Sequence, residues 1–384
     1  MDRRIGAVGL AAALALAVAA PALAQDSSAA PGGWTTVVEG LNAPRGLVIG
    51  ADGTLYVGEQ GAGGEECIEG EGPEGPTTIC IGMTGAISAV KDGALEPVVS
   101  GLPSIVMGQE VLGISDFAIT ADGETIVTVN LGGAPEARAN FGPVGPFAGT
   151  LSSAAADGTL TVIADLAQWE ADNNPDAADP GSTVDSNPYS VTIAPDGTYL
   201  VADAGGNDIL MVAPNGTTTL GATFHAQFVP APVDPTMSPA PDPNASPAMM
   251  PMQAVPTAAV VGPDGAVYVS QLTGFPFPVG GSTIWRVEQG GEPTPYATGL
   301  THVMDLAFAP DGTLWAVELA KSGLTSGDIT GALVSIPAGG GEATVVASEG
   351  LMMPGGVAVA ADGTVYVSNG SQMPGGGSIV SLNQ

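Results

Sequence analysis

One pattern recurs six times along this chain of 384 residues: an apolar stretch, an Asp-Gly pair and a second apolar stretch. The copies are PRGLVIGADGTLYV from Pro44, GISDFAITADGETIVTV from Gly113, NPYSVTIAPDGTYLV from Asn187, PTAAVVGPDGAVYV from Pro256, VMDLAFAPDGTLWAV from Val303 and PGGVAVAADGTVYV from Pro354. Asp-Gly between alternating apolar runs is a strong signal for a β-hairpin, because glycine readily adopts the positive φ that tight turns require. Each copy therefore predicts two antiparallel strands, A and B, within a repeat architecture.

A second pair of strand-like segments, C and D, follows the A–B hairpins. Strand C is predicted to begin near Thr84, Ala148, Asn207, Ser282, Gly331 and Gly377. Strand D is predicted to begin near Leu95, Thr159, Thr217, Pro293 and Glu342, so the sixth copy lacks one. The segment Trp34–Leu41 carries the pattern of the missing strand. We therefore predict an all-β fold, a six-bladed β-propeller of four-stranded antiparallel blades whose last blade is closed by the N-terminal strand.

The first 24 residues have the features of a secretory signal peptide. Two arginines precede a short apolar run, and Ala22-Leu23-Ala24 offers a small-residue cleavage site. The alternative is an uncleaved membrane anchor, but the apolar run is barely long enough to span a bilayer and contains a proline. The predicted organisation is a signal peptide at 1–24, a flexible leader at 25–33 and a single propeller at 34–384, with a Pro/Met-rich insertion at 230–252 that forms an extended or disordered loop.

Charge and cysteine content restrict the partners and the compartment. The chain has 7 Lys and Arg against 39 Asp and Glu, a net charge of -32. This balance excludes nucleic acid as a partner bound through phosphate neutralisation, which needs basic side chains. No transmembrane segment is expected after signal cleavage, so we predict a secreted or periplasmic monomer. In an exported chain the two cysteines, Cys67 and Cys80, are expected to form a disulfide rather than a metal site, because no His or further Cys lies nearby.

Several longer segments resemble the ScyD/ScyE family of secreted propeller proteins, which are distantly similar to NHL-repeat propellers. The segments are GLNAPRGLVIGADGTLYVGEQGAGG from Gly40, ADLAQWEADNNP from Ala164, DSNPYSVTIAPDGTYLVADAGGNDIL from Asp185, VPTAAVVGPDGAVYVSQLTGFPFPVGG from Val255 and THVMDLAFAPDG from Thr301. The chain departs from the family pattern at the insertion before Met252 and at DFAITADGE in the second repeat. The resemblance implies a six-bladed fold and export, and it implies no particular biochemical activity.

A polar residue stands at the end of every predicted B strand. The six positions are Glu59, Asn130, Asp203, Gln271, Glu318 and Asn369. Carboxylate and amide oxygens are the ligands that Ca²⁺ prefers, so we predict a metal role for Glu59, Asp203 and Glu318, with Ca²⁺ as the one cofactor suggested. The alternative is that B strands simply end at water with a polar residue.

Charged and polar residues also stand at the starts of the otherwise apolar A strands. They are Arg45, Asp116, Asn187, His302 and Asp305. Together with Asn130, Gln271 and Asn369 they are predicted to line a binding site in the channel. Arg45 can pair with either carboxylate, and His302 with Asp305 offers an acid/base pair, although a His that closes the strand entrance is the favoured interpretation. Gluconolactonase-like propellers hold a cation at the channel mouth on motifs that this chain does not match, so their site is not transferred.

Two functional hypotheses follow. The first is a secreted, non-enzymatic binding or scaffold protein that uses its channel face for a small molecule, a polymer or a partner. The second is a divalent-cation-dependent hydrolase of the lactonase or esterase type, supported by the oxygen-rich ring. No catalytic residue is predicted, since the chain has two histidines and no GxSxG nucleophile motif.

Overall fold

The computed structural model describes residues 33–72, 75–232 and 246–382. The predicted signal peptide, nearly all of the predicted leader and the centre of the Pro/Met-rich insertion lie outside these residues. In the described part of the chain no helix is both long and apolar enough to cross a bilayer.

Antiparallel strands account for most of the described chain. The first ten are β1 (Thr35–Leu41), β2 (Pro44–Ile49), β3 (Leu55–Glu59), β4 (Glu66–Gly72), β5 (Gly75–Lys91), β6 (Ala94–Met107), β7 (Glu110–Ile119), β8 (Thr125–Val129), β9 (Thr150–Ala154) and β10 (Leu160–Asp165). The next six are β11 (Pro188–Ile193), β12 (Tyr199–Asp203), β13 (Asp208–Val212), β14 (Thr218–Thr223), β15 (Gln227–Pro230) and β16 (Met249–Met252). The last eleven are β17 (Pro256–Val261), β18 (Val267–Gln271), β19 (Ser282–Val287), β20 (Thr294–Leu300), β21 (Val303–Phe308), β22 (Leu314–Glu318), β23 (Ala332–Ile336), β24 (Thr344–Ala347), β25 (Gly356–Val359), β26 (Val365–Asn369) and β27 (Gly377–Leu382).

The Asp-Gly pairs form the predicted turns. In the first copy the Gly50 N–H donates to the Thr54 carbonyl at 2.8 Å, and Gly53 between them has a φ of 83°. The Asp52 carboxylate accepts the Thr54 N–H at 3.0 Å, which holds the pKa of Asp52 below its ordinary value. The prediction of six A–B hairpins is confirmed by the pairs β2–β3, β7–β8, β11–β12, β17–β18, β21–β22 and β25–β26.

Four sheets contain four antiparallel strands each. Three of them follow chain order, β11 to β14, β17 to β20 and β21 to β24. The fourth has the order β1-β27-β26-β25, so the N-terminal strand forms the outer edge of the C-terminal sheet. Its register places Thr35 opposite Ser381 and Leu41 opposite Gly377. The predicted completion of the last sheet by the N-terminal strand is therefore present.

The first two repeats differ from this pattern because their strands merge. Strand β6 runs past the end of its own repeat and pairs with β7, which gives one nine-stranded sheet that includes β4. The segments Glu66–Gly72 and Gly75–Ile81 pair as a β-hairpin of β4 and β5. Cys67 and Cys80 face each other across this hairpin and form the predicted disulfide. We call the hairpin β4–β5 with the paired ends of β6 and β7 the flap.

The innermost strands contact one another in succession, with β2 against β7, then β11, β17, β21 and β25, and β25 again against β2. Apolar side chains fill the space between neighbouring sheets. Between β17–β20 and β21–β23, for example, Ile284, Leu306, Leu314 and Val334 are buried in one cluster. The architecture is all-β and β-propeller-like. The ends of the insertion, predicted as an extended or disordered loop, pair as the two-stranded sheet β15–β16.

Candidate functional site

The polar residues at the ends of the B strands are all buried. Five of them hydrogen-bond to the main chain just before the A strand of their own sheet. Glu59 accepts from Asn42 N, Asp203 from Asn187 N, Glu318 from Thr301 N and Asn369 from Met352 N, whereas Gln271 donates to the Ala254 carbonyl. These residues therefore anchor the loops that lead into the inner strands, instead of ending at water.

The three carboxylates assigned to Ca²⁺ hold three different loops in this way. Burial raises the pKa of Glu59 and Glu318, and one N–H donor at 2.7 Å opposes the shift in each. Nothing in these contacts brings Glu59, Asp203 and Glu318 together. The shared Ca²⁺ site remains a prediction without support from this geometry.

Asn130 is the exception in the ring, because it links three neighbouring repeats. Its Oδ1 accepts hydrogen bonds from Gln60 Nε2 at 3.1 Å and from Ser115 Oγ at 2.7 Å. Its Nδ2 donates to Asn187 Oδ1 at 2.8 Å. Asn130 and Asn187 are thus hydrogen-bonded to each other, as a shared binding site would require. Gln60 and Ser115, which were not predicted, belong to the same hydrogen-bond network.

His302 does not form the acid/base pair considered above. Its side chain is fully buried, with Nδ1 at 3.4 Å from the Ala320 carbonyl, and burial lowers its pKa. The carboxylate of Asp305 instead accepts the N–H groups of Leu306 and Val357. Asp305 and Asp116 face one small cavity.

Asp203 belongs to a larger group of carboxylates that the sequence did not single out. We call Glu170, Asp176, Asp185, Asp203 and Asp208 the acidic cluster. The pKa of Glu170 and that of Asp208 both respond to the charges of Asp203 and Asp176, and the pKa of Asp185 responds to the same two charges. The five side chains therefore form one electrostatic unit.

Local structure explains how the cluster assembles around the third repeat. Glu170 lies on the helix α1 (Leu166–Asn173), which begins where the Asp165 carboxylate caps the Gln168 N–H. Asp185 lies in the segment that leads into β11. Asp203 ends β12 and Asp208 begins β13, directly opposite it in the antiparallel register. Two like charges at paired positions of a sheet are unfavourable, so this pairing calls for a compensating group.

The turn between β12 and β13 lets the carboxylates approach. Asn207 adopts a left-handed φ of 53°, and its Nδ2 donates to Asp176 Oδ2 at 2.9 Å. A Cβ on Gly206 would lie 3.2 Å from Glu170 Oε2 and 3.5 Å from Asp203 Cγ. Glycine at this position therefore leaves space between the two carboxyl groups.

Hydrogen bonding is unequal within the cluster. Asp203 accepts four bonds, from Ser186 Oγ and from the N–H groups of Asn187, Gly205 and Gly206. Asp176 accepts from Ser182 Oγ and Asn207 Nδ2. Glu170 is 1% exposed and Asp208 is 0% exposed, yet none of their four carboxyl oxygens has a hydrogen-bond partner among the described residues. Asp185 Oδ1 is also unpartnered.

The electrostatics of the cluster favour neutral carboxyl groups. Burial, followed by the charge of Asp203, raises the pKa of Glu170 to about 8 and that of Asp185 to about 7. The same two causes raise the pKa of Asp208 well above its ordinary value. Burial also raises the pKa of Asp203, but its four donors oppose the shift.

Among the described residues, no Lys or Arg side chain forms an ion pair with the cluster. Arg138 pairs with Asp165, and His225 Nδ1 lies 3.2 Å from Asp179 Oδ1. The remaining ways to balance the charge are protons or a bound cation. Within residues 33–72, 75–232 and 246–382, no three Asp, Glu, His or Cys side chains are arranged to hold a metal. The orphaned oxygens of Glu170 and Asp208 nevertheless fit a hard cation, because these are the oxygen donors that no protein group uses.

A larger cavity lies at the other end of β11 and β12. This groove of about 290 Å³ between the third and fourth sheets is lined mainly by apolar side chains, among them Leu200, Ile209, Met211 and Val267. None of the buried polar atoms without a partner belongs to its lining. We therefore place the candidate site at the acidic cluster and not in this groove.

Of the five acids, the sequence analysis singled out only Asp203. All five lie within or beside the motifs ADLAQWEADNNP, DSNPY and DAGGND, which carry the ScyD/ScyE resemblance. These motifs are separate in sequence, and the structure brings their acids together at one end of the third sheet.

Solved structures provide the comparison with known proteins. The chain is similar to a gluconolactonase from Xanthomonas campestris, with 11% identity, coverage of 93% of this chain and 92% of that one, and a TM-score of 0.52. It is similar to the PQQ-bound aldose sugar dehydrogenase of Streptomyces coelicolor, at 14% identity, 90% and 95% coverage and a TM-score of 0.52. A third is the calcium-binding protein regucalcin from Agrobacterium tumefaciens, at 12% identity, 92% and 94% coverage and a TM-score of 0.52.

The fold is β-propeller-like. At such identities the likeness extends to the fold alone. No family model matches the sequence, and no curated protein matches it.

Proposed function

We propose that this chain is an exported, six-bladed β-propeller of the ScyD/ScyE type that binds a divalent cation, with Ca²⁺ as the preferred ion, in the acidic cluster. One observation carries the proposal: two fully buried carboxylates, Glu170 and Asp208, leave all four oxygens without a partner. Leaving a buried polar group unpaired is costly, and leaving a buried charge unpaired costs more. A cation removes both penalties at once.

The six-bladed ring is supported by the contacts of the inner strands. Six A–B hairpins place their A strands in one succession that returns from β25 to β2. The pairing of β1 with β27 joins the two ends of the described chain. A ring closed in this way leaves only short sheet edges exposed.

Export is supported by the N-terminal signal features and by the disulfide. The Cys67–Cys80 bond is compatible with a secreted or periplasmic protein, since such bonds persist in oxidising compartments. The absence of a membrane-spanning helix from the described residues is compatible with the same location.

The proposed chemistry assigns a distinct task to each member of the cluster. Glu170 and Asp208 supply carboxylate ligands, and main-chain carbonyls or water complete the sphere, as is usual for Ca²⁺. Asp203 and Asp176 keep their hydrogen bonds and add negative potential. Ca²⁺ uptake displaces protons from Glu170 and Asp208, so affinity rises with pH.

Two of the three similar structures are named as enzymes and one as a calcium-binding protein, so this kind of fold accommodates both types of function. No described group of residues favours lactone or ester hydrolysis in particular. We therefore propose cation binding as the function. Lactone and ester hydrolysis can be tested with a panel of substrates on the same protein preparations.

Isothermal titration of the EDTA-treated protein with CaCl₂ tests the proposal. The double variant Glu170→Gln/Asp208→Asn keeps shape and removes charge, so it should lose one bound Ca²⁺ per chain. At a hundredfold excess over Kd, Ca²⁺ should raise the Tm of the unaltered protein by about 3–8 °C.

The matched control is Asp172→Asn/Asp196→Asn, which removes two exposed carboxylates from the same helix and the same sheet. This control variant should keep both the heat of Ca²⁺ binding and the rise in Tm that Ca²⁺ causes. Equal Ca²⁺ uptake by the two double variants would place the cation elsewhere and overturn the assignment.

A further inference from the structure

A second group of buried polar atoms lies away from the acidic cluster, where the inner strands meet. They surround a cavity of about 10 Å³, enough for one water molecule or one ion. Its polar lining consists of Ser115, Asp116, Tyr189, Ser190, Thr257 and Asp305. These residues come from the inner strands of the second, third, fourth and fifth repeats.

Two carboxylates face this cavity from different sheets. Asp116 accepts the Val191 N–H at 3.0 Å, and Asp305 accepts the Val357 N–H at 2.9 Å. Each carboxylate therefore ties its own inner strand to the next one. Burial and then the charge of Asp305 raise the pKa of Asp116 well above its ordinary value, and burial raises that of Asp305 to about 7.

Hydroxyl groups complete the lining, and two of them are unused. The Tyr189 hydroxyl and Ser190 Oγ have no hydrogen-bond partner, although their residues are only 8% and 5% exposed. Thr257 Oγ1 donates to the Val303 carbonyl at 2.8 Å and therefore accepts from Ser270 Oγ at 2.9 Å, which leaves one lone pair. The cavity is thus surrounded by oxygen atoms that can accept or coordinate.

One buried cationic side chain, Arg45, lies beside the lining residue Tyr189, and its Nε and Nη1 have no hydrogen-bond partner among the described residues. The Arg45 guanidinium lies 4.7 Å from the centre of the Tyr189 ring, a cation–π arrangement. Burial lowers its pKa to about 10, and Glu110 acts in the opposite direction. In the described chain neither Asp116 nor Asp305 forms an ion pair with Lys, Arg or His. The predicted pairing of Arg45 with one of these carboxylates is therefore wrong.

We propose that this channel cavity is a second cation site, which holds one dehydrated Ca²⁺ between Asp116 and Asp305 with the Tyr189 and Ser190 hydroxyl groups as further ligands. A charge of about -2 from the carboxylates matches a divalent ion. The cavity is too small for a hydrated ion, and Mg²⁺ gives up its water reluctantly. The site therefore selects Ca²⁺ over Mg²⁺. The proposal does not depend on the acidic cluster, because the two sites share no residue.

The test uses the Glu170→Gln/Asp208→Asn protein, whose acidic cluster is expected not to bind Ca²⁺. We call it the cluster-silenced protein. Calorimetric titration of this EDTA-treated protein should show one Ca²⁺ per chain and at least about tenfold weaker Mg²⁺ binding. Adding Asp116→Asn should abolish the Ca²⁺ heat. Adding Tyr189→Phe, which removes only the unpartnered hydroxyl, should weaken Ca²⁺ binding about tenfold without changing the Tm measured in EDTA by more than a degree or two.

Two results would overturn the proposal. The first is the absence of Ca²⁺ heat in the cluster-silenced protein, which leaves the cluster proposal itself intact. The second is Ca²⁺ heat that survives both Asp116→Asn and Tyr189→Phe.

Discussion

The environment of each carboxylate decides its role in this protein. Asp52 lies in an exposed turn, where the Thr54 N–H stabilises its charge and lowers its pKa. Glu170 is buried beside Asp203 and has no donor, so its pKa rises to about 8. The same chemical group thus serves as a turn anchor in one place and as a proton or cation acceptor in another.

The raised pKa values predict how stability depends on pH. Glu170 and Asp185 have folded-state pKa values of about 8 and about 7, above their ordinary values of 4.5 and 3.8. The folded protein therefore binds more protons than the unfolded chain, and stability falls as pH rises through these values. In EDTA, the Tm measured by scanning calorimetry should decrease between pH 6 and pH 9, and saturating Ca²⁺ should reduce that decrease.

The decrease of Tm with rising pH should be smaller in Glu170→Gln/Asp208→Asn. It should persist in Asp172→Asn/Asp196→Asn. Some slope should remain in the first variant, because Asp305 has a pKa of about 7. A Tm that rises over this pH range in EDTA would contradict the assignment of protons to the cluster.

Residue-level roles were only partly predictable from the sequence. Strand register placed Glu59, Asp203 and Glu318 at equivalent positions, and the structure confirms the equivalence. Their partners depend on the path of the loops before the inner strands, which no local pattern encodes. Glu170 and Asp208 were missed because their proximity requires a helix, a left-handed Asn207 and a sheet pairing at once.

At the scale of secondary structure elements, regular repeats were predictable and additions to them were not. The Asp-Gly signal and period-2 alternation identify every A–B hairpin, because both reflect local backbone geometry. Strand β4 has the sequence ECIEGEG, which lacks an apolar alternation, and its pairing with β5 is supported by the disulfide instead. The helix α1 is eight residues long and depends on packing of Leu166 and Ala167.

The flap provides a prediction at this scale. Replacing Cys67 and Cys80 by serine removes a cross-link worth up to about 3 kcal/mol for a loop of this length. Because β4 lies off the main path of the sheet and pairs only with β5, we expect a local effect. Hydrogen exchange should accelerate in β4 and in the paired part of β5, while β11 to β14 keep their protection. Uniform exchange across both regions, or a cooperative loss of the whole fold, would show that the disulfide supports the entire protein.

At the scale of the whole molecule, the two ends of the described chain pair with each other as β1 and β27. Trp34 is buried, and its Nε1 donates to the Glu349 carbonyl at 3.1 Å, so a residue before β1 contacts the segment after β24. Leu41 at the end of β1 is fully buried. Because β1 covers the edge of β27, fewer sheet edges are free to pair with another copy of the protein. The net charge of -32 also keeps copies apart.

Removal of β1 tests whether closure carries stability. A chain that begins at Asn42 loses Trp34 and Leu41 from the core and leaves the edge of β27 unpaired. Its Tm should fall by at least about 10 °C relative to a chain that begins at Gly33, and it should self-associate in size-exclusion chromatography. A synthetic peptide of residues 33–42 should restore both properties by refilling the edge. Unchanged Tm and elution volume in the shorter chain would show that β1 is dispensable, and the proposed six-bladed ring would then lose its closing strand.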